Sequence, residues 1–131
     1  MQKKWALRAA TLTIGAGAAL GLAVGTANAA SLIQWGSTGQ PVVCVQQAMN
    51  YLDNAGLSVD GQFGQNTYNA VYAYQGSKSN LQQDGQVGPL TGGDIKADIY
   101  NSYRAAHGSG DYNTQQVLGS WMSNCNSQIP G

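Results

Sequence analysis

The apolar positions of this chain fall into five groups. The first, residues 9–25, is an uncharged run rich in Ala, Gly and Leu. The other four recur at spacings of three and four, the period of an amphipathic helix. Val42, Val45, Met49 and Leu52 mark the first helix. Pro41 can open it, because the first turn tolerates a missing N–H, and Asn54-Ala55-Gly56 ends it, with Gly56 the expected cap. Thr67, Ala70, Val71 and Tyr74 share one face of a second helix over residues 65–76, whereas Tyr68 and Tyr72 form an i, i+4 pair directed elsewhere. Ile95, Ile99 and Tyr103 or Ser102 mark a third, expected to begin near Pro89 or, in preference, after Gly92-Gly93. It should reach Ala106 and break at His107-Gly108-Ser109-Gly110. Asn113 can cap a fourth, with Gln116 placed three residues on as in a capping box, and Val117, Leu118, Trp121, Met122 and Cys125 as its apolar face.

The first group has no polar stripe to make it part of such a bundle, and its flanks suggest another role. Lys3, Lys4 and Arg8 precede it, and Ala27-Asn28-Ala29 follows with the small-x-small pattern of a signal-peptidase site. Residues 1–29 are therefore expected to be a secretory signal cleaved after Ala29. A retained anchor fits less well, because the run is short and glycine-rich. Export leaves Lys78, Lys96 and Arg104 against six aspartates, with no glutamate. This mildly acidic balance argues against nucleic acid or an anionic membrane as partner, since both are bound through dense Lys/Arg clusters. A surface of Gln, Asn, Ser and Tyr suits uncharged ligands bearing hydroxyl and amide groups. In an exported chain the two cysteines, Cys44 and Cys125, favour a disulfide, which would pin the last helix against the first. Zinc would need more soft ligands than these two and His107.

One stretch repeats. VDGQFGQNT at residues 59–67 is echoed by QDGQVGPLT at residues 83–91, with Asp-Gly-Gln, Gly and Thr at the same offsets. Each element has a structural use. The aspartate can accept hydrogen bonds from nearby backbone N–H groups, the glycine after it is free to take positive φ, and the second glycine permits another reversal. Phe63 and Val87 are apolar plugs at matching places, and Thr67 and Thr91 fall within the first turn of the helix that follows. Asp60, Gly61, Phe63, Gly64 and Thr67, with Asp84, Gly85, Val87 and Gly88, thus read as determinants of fold.

With the helix before them, these residues carry a resemblance. The ordered series Gly36-Ser37-Thr38-Gly39-x-Pro41-Val42, Val45-Gln46, Leu52, Val59-Asp60-Gly61-x-Phe63-Gly64-x-x-Thr67-x-x-Ala70-Val71-x-x-Tyr74-Gln75 and Asp84-Gly85-x-Val87-Gly88-Pro89-x-Thr91 closely resembles the peptidoglycan-binding-like domain of bacterial cell-wall hydrolases. The resemblance covers residues 36 to about 91 and implies a three-helix bundle. Val45 and Tyr74 stand where that family usually has Leu and Phe. Gly92-Gly93-Asp94 replaces its usual Trp and Leu, so the start of helix 3 should be remodelled, with Trp121 a candidate to fill the vacated space.

The expected fold is all-α: a peptidoglycan-binding-like bundle over residues 30–102, with two D-G-x-[FV]-G turns, and a helical extension over 103–131 tethered by Cys44–Cys125. Paired carboxylates for glycoside hydrolysis need one raised pKa, but Asp60 and Asp84 sit in matching turns where backbone N–H groups keep a carboxylate ionised. Without glutamate the loops lack the bidentate ligand of an EF-type calcium site. His107, the single histidine, lies in a Gly/Ser break with no free cysteine to activate. No catalytic residue, metal or cofactor is expected. The resemblance implies a module that binds peptidoglycan, through its glycan or stem peptide, and the N-terminal signal points to a secreted or wall-associated protein, expected to be a monomer. Trp35, Tyr51, Tyr68 and Tyr72 are the candidate ligand-binding residues. The alternative is a module that has reused the fold to bind another protein, such as a cell-wall enzyme.

Overall fold

The computed structural model describes residues 30–131; the expected signal at 1–29 lies outside the described residues. The described residues form four helices: α1 (Gln40–Asp53), α2 (Gln65–Gly76), α3 (Pro89–Ser109) and α4 (Tyr112–Cys125). Their apolar stripes meet in one core, where Val42, Val45, Met49, Val71, Tyr74, Ile95, Ile99 and Leu118 are all but fully buried. α1 packs against the other three, and α4 lies chiefly along α3. The Cys44–Cys125 disulfide ties α4 to α1. Beside it the Trp121 indole N–H donates to the Cys44 carbonyl at 3.0 Å.

The lead-in segment runs across both repeated turns. Ile33 forms a two-way antiparallel bridge with Val87, and Thr38 bridges Gln62. Gly36 N–H donates to the Phe63 carbonyl at 2.9 Å, and Phe63 N–H returns a bond to the Ser37 carbonyl at 3.0 Å. At Ile33, Phe63 and Val87, which are buried, these bonds satisfy backbone groups that would otherwise go unpaired.

Several helix ends differ from the sequence expectation. α1 is capped by Asn54 in the left-handed region, not by Gly56. α3 begins at Pro89 and continues through Gly92-Gly93, then through His107 and Gly108, to a left-handed Gly110. Gly92 is there because the C-terminal tail needs its space: a Cβ at residue 92 would overlap the Pro130 carbonyl and crowd the Ile129 side chain. It is therefore the tail, rather than Trp121, that lies against the position where the resembled family has its tryptophan. α4 is capped by Asp111, whose carboxylate accepts from Thr114 N–H at 3.1 Å, two residues before the expected Asn113. Val117, assigned to the apolar face of α4, is 62% exposed.

Candidate ligand-binding surface

The repeated turns are each closed by a buried glutamine from the preceding helix. Gln46 of α1 donates through Nε2 to the Asp60 carboxylate (3.0 Å), the Gln62 carbonyl (3.1 Å) and Thr67 Oγ1 (3.1 Å). Its Oε1 accepts from Gly61 N–H at 3.0 Å. Gln75 of α2 repeats this on the second turn, donating to Asp84 (3.0 Å), the Gln86 carbonyl (2.8 Å) and Thr91 Oγ1 (3.0 Å). Its Oε1 accepts from the N–H groups of Asp84 (3.1 Å) and Gly85 (2.8 Å). Each aspartate also accepts from the N–H two residues on, closing an Asx turn. Gly61 and Gly85 both adopt φ 72°. The Gln46 amide, and then the Gln62 N–H, hold the Asp60 carboxyl below the ordinary carboxylate range. Both aspartates are thus engaged inside their own turns.

Those turns set the positions of three aromatic rings. Tyr68 and Tyr72, one turn apart on the outer side of α2, stack with centroids 5.8 Å apart and planes 22° apart. Trp35, carried by the lead-in segment, meets the Tyr68 ring edge-on at 5.9 Å and 63°. Tyr68 lies directly over Gly85, where any Cβ would overlap its ring. The Gln83 amide donates to the Tyr72 carbonyl at 3.0 Å. Trp35 is 57% exposed and Tyr72 41%, so the cluster presents ring surface to solvent on a braced backbone.

Tyr51 stands apart from these three. It lines a groove of about 650 Å³ between α1 and α4, with Gln47, Gln116 and Trp121 among its neighbours. His107 is exposed, its Nδ1 3.1 Å from Gln115 Oε1. Elsewhere, the buried Tyr74 hydroxyl donates to Asp98 at 2.6 Å, and Lys78 pairs with the same carboxylate. Burial, then the hydrogen bond to Asp98, drive the Tyr74 pKa far above its ordinary value. Burial also raises the Asp53 carboxyl, but Asp98 nearby is already committed to Tyr74 and Lys78. Among the described residues, no group of three or more His, Cys, Asp or Glu side chains could hold a metal ion, and no helix is long and apolar enough to cross a membrane.

Sequence reasoning placed Gln46 and Gln75 in the family pattern without giving them a role. The available signal was a glutamine directly after a residue of the apolar stripe, Val45 or Tyr74, with an Asp-Gly pair later in the chain in each case. The gathering of Trp35 with Tyr68 had no local signal, because bridges between distant segments produce it.

These features define a small all-α scaffold in which amide clamps hold two turns and the turns hold an aromatic surface. Residues 38–92 match the family described as "Putative peptidoglycan binding domain". It is 42% identical over 66 residues to a spore cortex-lytic enzyme of Halalkalibacterium halodurans, a match covering 49% of this chain and 20% of that enzyme. The chain thus spans about a fifth of the length of that relative. It is also similar to the N-terminal domain of SleB, known from a crystal structure, at 34% identity, covering 50% of this chain and 88% of that domain with a TM-score of 0.47. Most of α3, all of α4 and the tail lie outside residues 38–92.

Proposed function

We propose that this protein is a secreted, non-catalytic module, its bundle followed by a helical extension, that attaches to bacterial cell-wall peptidoglycan through the Trp35, Tyr68 and Tyr72 surface. The observation that carries this reading is the placement of three partly exposed rings by the same turns that define the peptidoglycan-binding family. A sugar ring offers an apolar C–H face, and a braced aromatic surface matches it at little cost in side-chain entropy. Modest affinity at one site suffices where the ligand is a polymer presenting many copies.

A non-catalytic role is supported by the state of the carboxylates. Asp60 is held ionised, Asp84 is tied to Gln75, and Asp98 is spent on Tyr74 and Lys78. Glycoside hydrolysis requires a carboxylic acid with raised pKa facing a second free carboxylate across the substrate. The secreted chain, disulfide intact, is expected to sediment with purified insoluble sacculi and to release no soluble muropeptides. Retention in the supernatant, while an unrelated wall binder sediments, would refute wall binding. Release of muropeptides would instead make the protein an enzyme.

A further inference from the structure

α4 carries a surface that the aromatic cluster does not use. Residues 112–131 contain no Asp, Glu, Lys, Arg or His, although much of this segment faces water. Gln116, Ser120 and Asn124, spaced by four, form a crest along the helix. On one side of the crest is the 650 Å³ groove toward α1, which reaches the buried side chains of Ile99, Leu118 and Trp121 and has Tyr51 at its edge. On the other is a hollow of about 780 Å³ toward α3, flanked by Tyr103 and Tyr112. Both volumes fall in the range of small-ligand sites, roughly 300–1,000 Å³. No side chain lining either hollow is an acid, a histidine or a cation. Gln115 opens onto the second hollow with its Nε2 buried and without a partner among the described residues, while its Oε1 is engaged by His107.

We propose that the crest of α4 and its two hollows form a second ligand site, for an uncharged oligosaccharide of N-acetylated amino sugars. This rests on the reading of the protein as a wall-binding module and adds a subsite built by the segment beyond the family match. Charge selects the ligand class. A charged peptide would lose hydration in these hollows and find no opposite charge there. An acetamido sugar brings a methyl group and C–H faces for the apolar floor, and a carbonyl and N–H for the amides of the crest. The Cys44–Cys125 bond and the Trp121–Cys44 hydrogen bond keep α4 beside α1 and so hold the first hollow open. Two sites on one small protein would let neighbouring stretches of a polymer bind together.

The test is titration of the oxidised protein with the tetramer of N-acetylglucosamine, followed by ¹⁵N-resolved NMR of side-chain amides. The Gln47, Gln115, Gln116 and Asn124 amide signals should shift. Gln116→Ala combined with Asn124→Ala, exposed positions that leave the thermal midpoint unchanged, should weaken this response by at least about fivefold, the worth of one to two hydrogen bonds. Cellotetraose, with hydroxyls in place of acetamido groups, should bind more weakly. Equal binding of cellotetraose, no shift of the crest amides, or a stronger response to a charged stem peptide would each overturn the second site. If the tetramer perturbs only the Trp35, Tyr68 and Tyr72 surface, the α4 site is refuted while the wall-binding reading stands; sedimentation with sacculi decides that reading independently.

Discussion

Replacing Gln75 by leucine probes the clamp that closes the second turn. The side chain is 1% exposed and makes five hydrogen bonds of 2.8–3.1 Å. Leucine has nearly the same volume, so little of the loss would come from a cavity. The Asp84 and Gln86 groups lie near solvent and can rehydrate in part. The Gly85 N–H is buried and cannot. One hydrogen bond to a carboxylate contributes about 1.5–3 kcal/mol, and an orphaned buried donor costs about 1–3 kcal/mol. Gln75→Leu should therefore destabilise by about 3–5 kcal/mol, a drop of ~15 °C or more in the thermal midpoint of a domain this size. Urea unfolding followed by far-UV circular dichroism, with the disulfide intact, measures this directly. Gln46→Leu should cost a similar amount, and Gln86→Ala, at a partly buried position whose backbone alone serves the turn, should cost under ~0.5 kcal/mol. A loss below about 1 kcal/mol for both buried glutamines would refute the clamp, because the turns would then be holding themselves.

Other perturbations read other parts of the structure. Removing the disulfide with Cys44→Ala and Cys125→Ala, which reopens a loop with a sequence separation of 81, should cost about 4–5 kcal/mol in the chain-entropy model. α4 should then exchange its amide protons faster than α2. Gly85→Ala would strain a backbone at φ 72° and push into the Tyr68 ring. It should lower stability by more than 1 kcal/mol and change the Tyr68 ring signals in NMR. Stability should also depend on pH in two windows. The Asp60 and Asp111 carboxyls are held below their ordinary value of 3.8, by Gln46 and by Thr114 respectively. Their contributions are therefore complete above that pH and are lost as pH falls below it. Tyr74 is raised above its ordinary value of 10.0, first by burial and then by Asp98. Its contribution is complete below pH 10 and is lost as pH rises beyond it, so Tyr74→Phe should flatten the alkaline limb of an unfolding-midpoint profile.

What could be read from the sequence follows from the range of the interactions involved. α2 was legible to the residue because its apolar spacing and its limits, Gly64 and Gly76, are local. The Tyr68 and Tyr72 pair was legible for the same reason. Gly92-Gly93 looked like a helix break because glycine weakens helices locally. Its use is non-local: Pro130 and Ile129 pack onto Gly92, and Pro89 supplies the start. The same limit applies to the site. Tyr51, Tyr68 and Tyr72 all lie off the main core face of their helices, yet α4 encloses Tyr51 in a separate groove while the lead-in segment brings Trp35 to Tyr68. Asp111 outcompeted Asn113 as the cap of α4 because α3 ends in a left-handed Gly110, which places the next residue at the helix start.

The most direct test of the wall-binding surface is a binding isotherm on purified sacculi, comparing the parent protein with Trp35→Ala and Tyr72→Ala, two positions exposed enough to spare the core. Loss of an anchoring ring typically costs about 1–2 kcal/mol, or roughly 5- to 30-fold in affinity. Each variant should weaken binding by that amount while its thermal midpoint stays near that of the parent. Unchanged isotherms for both variants, or failure of the parent to bind sacculi at all, would contradict the assignment.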